Sequence, residues 1–150
     1  MRAVLQRVKS SSVVVDGKIV GEIGPGLNML LGIAADDTEA DMDYIINKTI
    51  NLRVFEDEED RMNQSLLDVG GELLIVSQFT LYGDCRKGRR PSFTASGPVD
   101  AAKAKYARFC EKIKESAGVK IAFGEFGADM QVNIVGDGPV TLLLDSKKLF

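Results

Sequence analysis

Histidine is absent from all 150 residues of the chain. That removes the side chain that most often serves as general base, the commonest zinc ligand, and every Ser-His or Cys-His dyad. Any chemistry must use other groups. Cys85 and Cys110 are the only two cysteines, too few for a disulfide framework, and both are expected as reduced thiols. No apolar run approaches the roughly 20 residues that a membrane span requires. The spacing of a calcium loop with its obligatory Gly is missing. Internal repeats, low-complexity tracts and linkers are also missing, so one domain over residues 1–150 is expected.

What is present is the composition of a soluble globular protein, 45% hydrophobic and 27% charged. A net charge of −3 argues against non-specific coating of nucleic acid, which scales with the number of neutralised phosphates. Local binding through one basic cluster stays open. The N-terminal run Met1 to Arg7 has an amphipathic strand pattern and lacks the features of a signal peptide, making cytoplasm the default location.

Strands are expected at Met1 to Val8 and Val13 to Val15, with Asp16-Gly17 supplying a two-residue hairpin turn before Lys18 to Ile23. After the turn Gly24-Pro25-Gly26, Leu27 to Ile33 suits a central strand. Asp36, Asp37 and Thr38 are candidate N-caps for a helix carrying Met42, Ile45, Ile46 and Thr49 at helical spacing. Arg53 to Glu56 reads as a short strand and Asp57 to Asp60 as an acidic exposed turn. Leu73 to Val76 reads as a buried strand that delivers Ser77 to Thr80 at its end. A second helix follows Pro98, with Ala102, Tyr106, Phe109 and Ile113 on one face and Gly118 as its stop. Lys120 to Phe123, Gln131 to Val135 and Val140 to Leu144 complete the strands. Two helices cannot cover both faces of so many strands. The expected class is α+β, a curved, barrel-like mixed sheet with a two-helix layer, its remaining apolar edge available to a second subunit.

Ser77, Gln78, Phe79 and Thr80 are the first chemical candidates, because alternation would put Gln78 and Thr80 on one face and Ser77 on the other. Polar residues at a strand end also commonly just satisfy backbone groups. A Thr nucleophile needs an activating base, and none is evident. As a group that orients water or substrate, Thr80 needs none, and the N–H groups of Phe79 and Thr80 could stabilise a developing oxyanion. Cys85 lacks a His partner, and Cys110 is explained by its helix face. Glu56 to Asp60 reads as a solvated turn. Arg86, Lys87, Arg89 and Arg90 form a dense basic loop just after the polar strand end. Such a cluster is most often solvated surface, yet a phosphate grip beside a reaction centre would suit an enzyme acting on an RNA end. Gly-Pro occurs at Gly24-Pro25, Gly97-Pro98 and Gly138-Pro139, each a turn by default.

The runs Met1 to Val8, Ile23 to Leu27, Asn51-Leu52-Arg53, Ser77 to Pro91, Phe126 to Met130 and Gly138-Pro139-Val140-Thr141 together resemble the D-aminoacyl-tRNA deacylases nearly end to end. The resemblance implies a homodimer with active sites at the subunit interface, no cofactor and no metal. It also implies hydrolysis of the ester that joins a D-amino acid, or glycine, to the terminal ribose of tRNA. Ser77 to Thr80 would line the pocket for the 3′-terminal adenosine. Gly138-Pro139 would be cis, reach the partner's pocket, accept the ammonium of a D-amino acid and collide with an L side chain. Arg7 would hold that loop, and Met130 would line the site. Whether the Thr80 hydroxyl attacks or the substrate's 2′-hydroxyl assists water stays open, with assistance favoured. Gly136 departs from the Asn common in the family. The competing classes are an RNA-end-binding module without turnover and a purely structural dimer.

Overall fold

The N-terminal segment, expected as two strands, is one: β1 (Arg2–Val15) runs unbroken through Ser10-Ser11-Ser12 in the computed structural model, which describes residues 1–150. The three serines do not interrupt it because Ser11 is turned inward and its hydroxyl donates to the Asn133 carbonyl at 2.8 Å. The hairpin to β2 (Lys18–Ile23) turns as expected, with Asp16 at φ 49° and Gly17 at φ 74°, the pair of positive angles that a tight turn between twisted strands demands. β3 (Gly26–Gly32) pairs antiparallel with the first half of β1, while β2 pairs with its second half.

Thr38 caps α1 (Glu39–Asn51), its N–H and its hydroxyl both donating to Asp41 Oδ2 at 2.8 Å. Asp37 does other work, accepting the Ala34 N–H at 2.7 Å and the Met1 ammonium. Beyond α1, the expected strand at 53–56 shrinks to β4 (Phe55–Glu56), which pairs with β5 (Met62–Gln64) across the acidic turn. The sequence pattern predicts neither β5 nor the four-residue α2 (Leu66–Val69). Both are too short to show periodicity, and α2 depends on a capping box between Ser65 and Asp68.

β6 (Glu72–Ser77) runs parallel to β3, and β7 (Ile121–Phe123) parallel to β6. α3 (Val99–Ala117) crosses between them and stops at Gly118, φ 61°, as expected. The two C-terminal strands expected from sequence are one, β8 (Gln131–Asp145), paired antiparallel along nearly all of β1. Gly138-Pro139 therefore lies within a strand, where the register against β1 slips on both sides of Val8. The strand order is β2-β1-β3-β6-β7, with β8 on the other edge of β1, and Gly21 of β2 abuts the Phe123 backbone of β7. The sheet thus curls into a nearly closed, barrel-like form.

Alternation sorts the side chains. Ala3, Leu5, Leu27, Met29, Leu31, Leu73 and Ile75 form one core with Met42, Ile45 and Ile46 of α1 and Tyr106, Phe109 and Ile113 of α3. Leu74 and Val76 point the other way, into a smaller cluster with Val8, Val13 and Ile23 inside the curve. No helix is long and apolar enough to cross a membrane.

Asp41 ties the helical layer to the C-terminal segment. Burial pushes its carboxyl pKa up, but hydrogen bonds from Ser146, Thr38 and Lys147 outweigh this and hold it well below the usual carboxylate range. A depressed folded pKa contributes stability that is complete above the unfolded value of about 3.9 and is lost as pH falls toward the folded one. Asp41→Asn should therefore lower the melting temperature clearly near pH 7 and by less near about pH 3. An equal loss at both pH values would show that the charge on Asp41 contributes nothing.

Candidate active site

The site begins where β6 stops. Its pairing with β3 ends at Leu31 and Ser77, and the Gln78 N–H makes one last bond to the Leu31 carbonyl at 2.8 Å. Phe79–Tyr82 then form a 3₁₀ turn, so strand alternation does not place Gln78 and Thr80 as expected. The turn brings them together instead, with Gln78 Nε2 donating to Thr80 Oγ1. Gly32 makes room for it: a Cβ there would lie 3.0 Å from Leu81 Cβ and 3.1 Å from the Gln78 carbonyl. The first bond inside the turn runs from the Leu81 N–H to the Gln78 carbonyl at 3.3 Å. The N–H groups of Phe79 and Thr80 precede it, and the turn leaves both unused.

Val76, Ser77, Gln78 and Phe79 form one wall of a cavity of about 580 Å³. Ser96, Gly97, Val99 and Ala102 form another, and Phe126, Gly127, Ala128, Met130 and Val132 close it. Tyr106 of α3 supports this wall from behind, donating to the Ile75 carbonyl at 3.1 Å while its ring packs 5.5 Å from that of Phe126. None of the lining side chains is ionisable. A second cavity of about 940 Å³ lies at the far end of the turn, where Arg2, Arg86 and Lys147 alternate with Asp36, Asp84 and Asp145. Arg2 there braces the turn, donating to the Leu81 carbonyl at 3.1 Å and pairing with Asp145 at 3.0 Å.

Gly138-Pro139 is a cis peptide, as the resemblance implied. Gly138 has φ 136°, and a Cβ there would meet the Val140 nitrogen at 2.7 Å, so only glycine fits. Arg7 is buried and anchors this segment, donating from Nε to the Asp137 carbonyl at 3.1 Å and from Nη1 to the Val54 carbonyl at 2.8 Å. It also pairs with the carboxylates of Glu56 and Asp137, each at 3.4 Å. Gly136 lies in open space, and a Cβ there would meet nothing within 4 Å. The structure brings together Ser77, Gln78, Phe79 and Met130 in the cavity wall, whereas Thr80 is outside the lining and joins it only through its bond to Gln78, and neither Gly138 nor Pro139 lines the cavity of its own chain.

Reciprocal backbone bonds between Asp84 and Ser92, at 2.7 and 3.0 Å, close the base of the basic loop. The four cations are not equivalent. Arg86 is pinned to Asp84, Nη2 to Oδ2 at 2.7 Å, and this pairing holds the Asp84 carboxyl far below its ordinary pKa. Lys87, Arg89 and Arg90 are exposed and make no ion pair. Cys85 is exposed on the same loop, whereas burial pushes the Cys110 thiol up to about 11.

Sequence reasoning missed Asp137, Phe126 and Val99. Asp137 carried a signal, lying beside Gly138 as an acid within reach of a buried arginine. Phe126 falls inside a family-like run that assigns it no role. Val99 gave none, since a valine opening a helix reads as core.

A strand-end turn with spare N–H donors thus stands beside an uncharged cavity, and a cationic loop follows it in the chain. Residues 4–145 match the model of the D-Tyr-tRNA(Tyr) deacylase family, and the chain belongs to that family. It is 61% identical to a D-aminoacyl-tRNA deacylase of Clostridium botulinum (strain Langeland) and 58% identical to one of Thermosipho melanesiensis, in both cases over the whole of each chain. The solved structure of the c-Myc DNA Unwinding Element Binding Protein superposes with a TM-score of 0.92 at 42% identity, covering 97% of this chain and 98% of that one.

Replacing Arg7 by Lys keeps the charge but loses the planar fork that reaches three residues at once. Stability measured by urea unfolding should fall by about 1–3 kcal/mol, and amide exchange should quicken at Asp137, Gly138 and Val140. Unchanged exchange there would remove Arg7 as the anchor. Gly136→Asn, by contrast, should be accommodated and should raise stability by about 0.4–1 kcal/mol through the unfolded chain. Marked destabilisation by urea unfolding would contradict the open space at this position.

Proposed function

We infer that this chain is a D-aminoacyl-tRNA deacylase, an ester hydrolase that releases a free D-amino acid and tRNA, and that glycyl-tRNA is also a substrate. The observation that carries the mechanism is the uncharged lining of the cavity at Ser77 to Phe79. With no ionisable side chain at the cavity wall, the proton transfer that activates water falls to the substrate's own 2′-hydroxyl. Water attacks the ester carbonyl carbon, and the carbonyl oxygen takes up negative charge, which the N–H groups of Phe79 and Thr80 stabilise. The carbon to ribose-oxygen bond then breaks, and the proton released by water reaches the leaving ribose oxygen. Gln78 and Thr80, hydrogen-bonded to each other, orient the attacking water.

Chirality is judged by backbone. Gly138-Pro139, held by Arg7 through Asp137, presents carbonyl oxygens that receive the ammonium of a D-amino acid and exclude an L side chain. Glycine passes because it has no side chain. In its own chain the segment is exposed and away from the cavity, which supports a homodimer in which each copy completes the other's site. Lys87, Arg89 and Arg90, with Arg86 the weaker contributor because Asp84 pins it, hold the tRNA backbone without reading sequence.

Matched D- and L-aminoacyl-tRNAs test the reading directly. D-tyrosyl- and D-alanyl-tRNA and glycyl-tRNA should be hydrolysed, with or without chelator, while L-alanyl-tRNA survives. Binding of charged tRNA with no release of amino acid would make the protein an RNA-end-binding module. Thr80→Ala should lower kcat by about 100- to 1000-fold, as for loss of one hydrogen-bonding group at the reacting centre. A terminal 2′-deoxyadenosine should slow the wild-type enzyme severely. Full activity on that deoxy substrate would return Thr80 to the role of nucleophile.

A further inference from the structure

Phe79 and Phe93 are 57% and 36% exposed, yet they touch each other, with ring centroids 5.2 Å apart at an interplanar angle of 67°. Nothing in the mechanism above uses Phe93. It stands at a junction. On one side its carbonyl accepts the hydroxyl of Ser96 at 2.6 Å and the N–H of Ser96 at 3.0 Å, and Ser96, like Phe79, lines the cavity. On the other side it directly follows Ser92, which closes the base of the basic loop against Asp84. The ring is also buttressed from below: a Cβ on Gly83 would lie 2.9 Å from Phe93 Cε1. A solvent-exposed aromatic ledge thus lies between the mouth of an uncharged cavity and three cations, Lys87, Arg89 and Arg90, that have no acidic partner.

We propose that Phe93, with Phe79, is a stacking platform for the unpaired nucleotide immediately 5′ of the one held in the cavity. This rests on the deacylase reading and deepens it by assigning a second nucleotide subsite. An edge-to-face pair leaves ring faces free, and a base, whichever it is, can cover them. The same nucleotide's phosphate then falls toward the loop cations, so apolar and charged contacts serve one residue of the strand. Sequence tolerance follows, since every base has a π-face. The platform binds and does not react; its contribution is to make a nucleic-acid carrier a better substrate than an isolated terminal nucleoside.

The test is the ratio of kcat/KM for a D-aminoacyl-tRNA to kcat/KM for the corresponding 3′-D-aminoacyl-adenosine, which lacks that nucleotide. Phe93→Leu should lower this ratio by between about 5- and 150-fold, the range for loss of one base–aromatic stack, and Phe93→Tyr should restore it. General damage to folding would lower both rate constants and leave the ratio alone. An unchanged ratio in Phe93→Leu, or failure of Phe93→Tyr to restore it, overturns the proposal. So does a fall in the ratio accompanied by a change in sedimentation, which would assign Phe93 to contacts between copies of the chain. If the wild-type protein cleaves neither substrate, the deacylase reading itself fails, an outcome distinct from wild-type cleavage with an unaltered ratio.

Discussion

The two-sided pairing of β1 is the constraint on which the rest depends. One fourteen-residue strand bonds to β3 and then β2 along one edge and to β8 along the other. Its first half therefore fixes the register of the buried sheet, and through β3 that of β6, whose end carries Ser77. Its other edge fixes β8 and, at the register slip around Val8, the position of Gly138-Pro139. Arg7 sits at that slip, where loss of regular ladder bonding leaves the Asp137 carbonyl to a side-chain donor. One strand thus organises both the cavity wall and the exposed segment at Gly138-Pro139.

The uncharged cavity and the loop cations are kept apart. The cavity carries no ionisable group, and the cations stand on a loop closed off by Asp84 and Ser92. The separation has a physical rationale, because a lysine inside a low-dielectric cavity would lose its charge or attract the wrong end of the substrate. Outside, the same charge remains solvated and can meet phosphates. Under the proposed function, discrimination rests with shape and backbone dipoles, which need no titrating group and so suit a chain without histidine.

Much of this is legible in the sequence. Runs with one dominant local signal read correctly: the Asp16-Gly17 hairpin, the Thr38 start of α1, and the periodic apolar face of α3 with its Gly118 stop. The errors cluster where tertiary context overrides local chemistry. Ser10 to Ser12 reads as a break, but buried partners keep β1 continuous; Gly138-Pro139 reads as a turn, but pairing with β1 carries β8 through it. Thr80 reads as part of a strand because nothing local marks the 3₁₀ turn, whose room is provided by Gly32, far away in sequence. Arg86 reads as a free cation, and only its distance to Asp84 shows otherwise. The family likeness points to residue types at the site, whereas only the three-dimensional arrangement reveals that Gly138-Pro139 and the cavity are apart within one chain.

That separation is the central claim, and subunit complementation tests it most directly. A variant disabled at the strand-end turn, Thr80→Ala, would be mixed with a variant disabled at the cis peptide, Gly138→Val, and the chains allowed to exchange. If each copy completes the other's site, half of the dimers are mixed and each contains one intact site, so activity should rise to roughly a quarter of the wild-type value. Activity no greater than the mean of the two variants measured separately would contradict a site shared between copies.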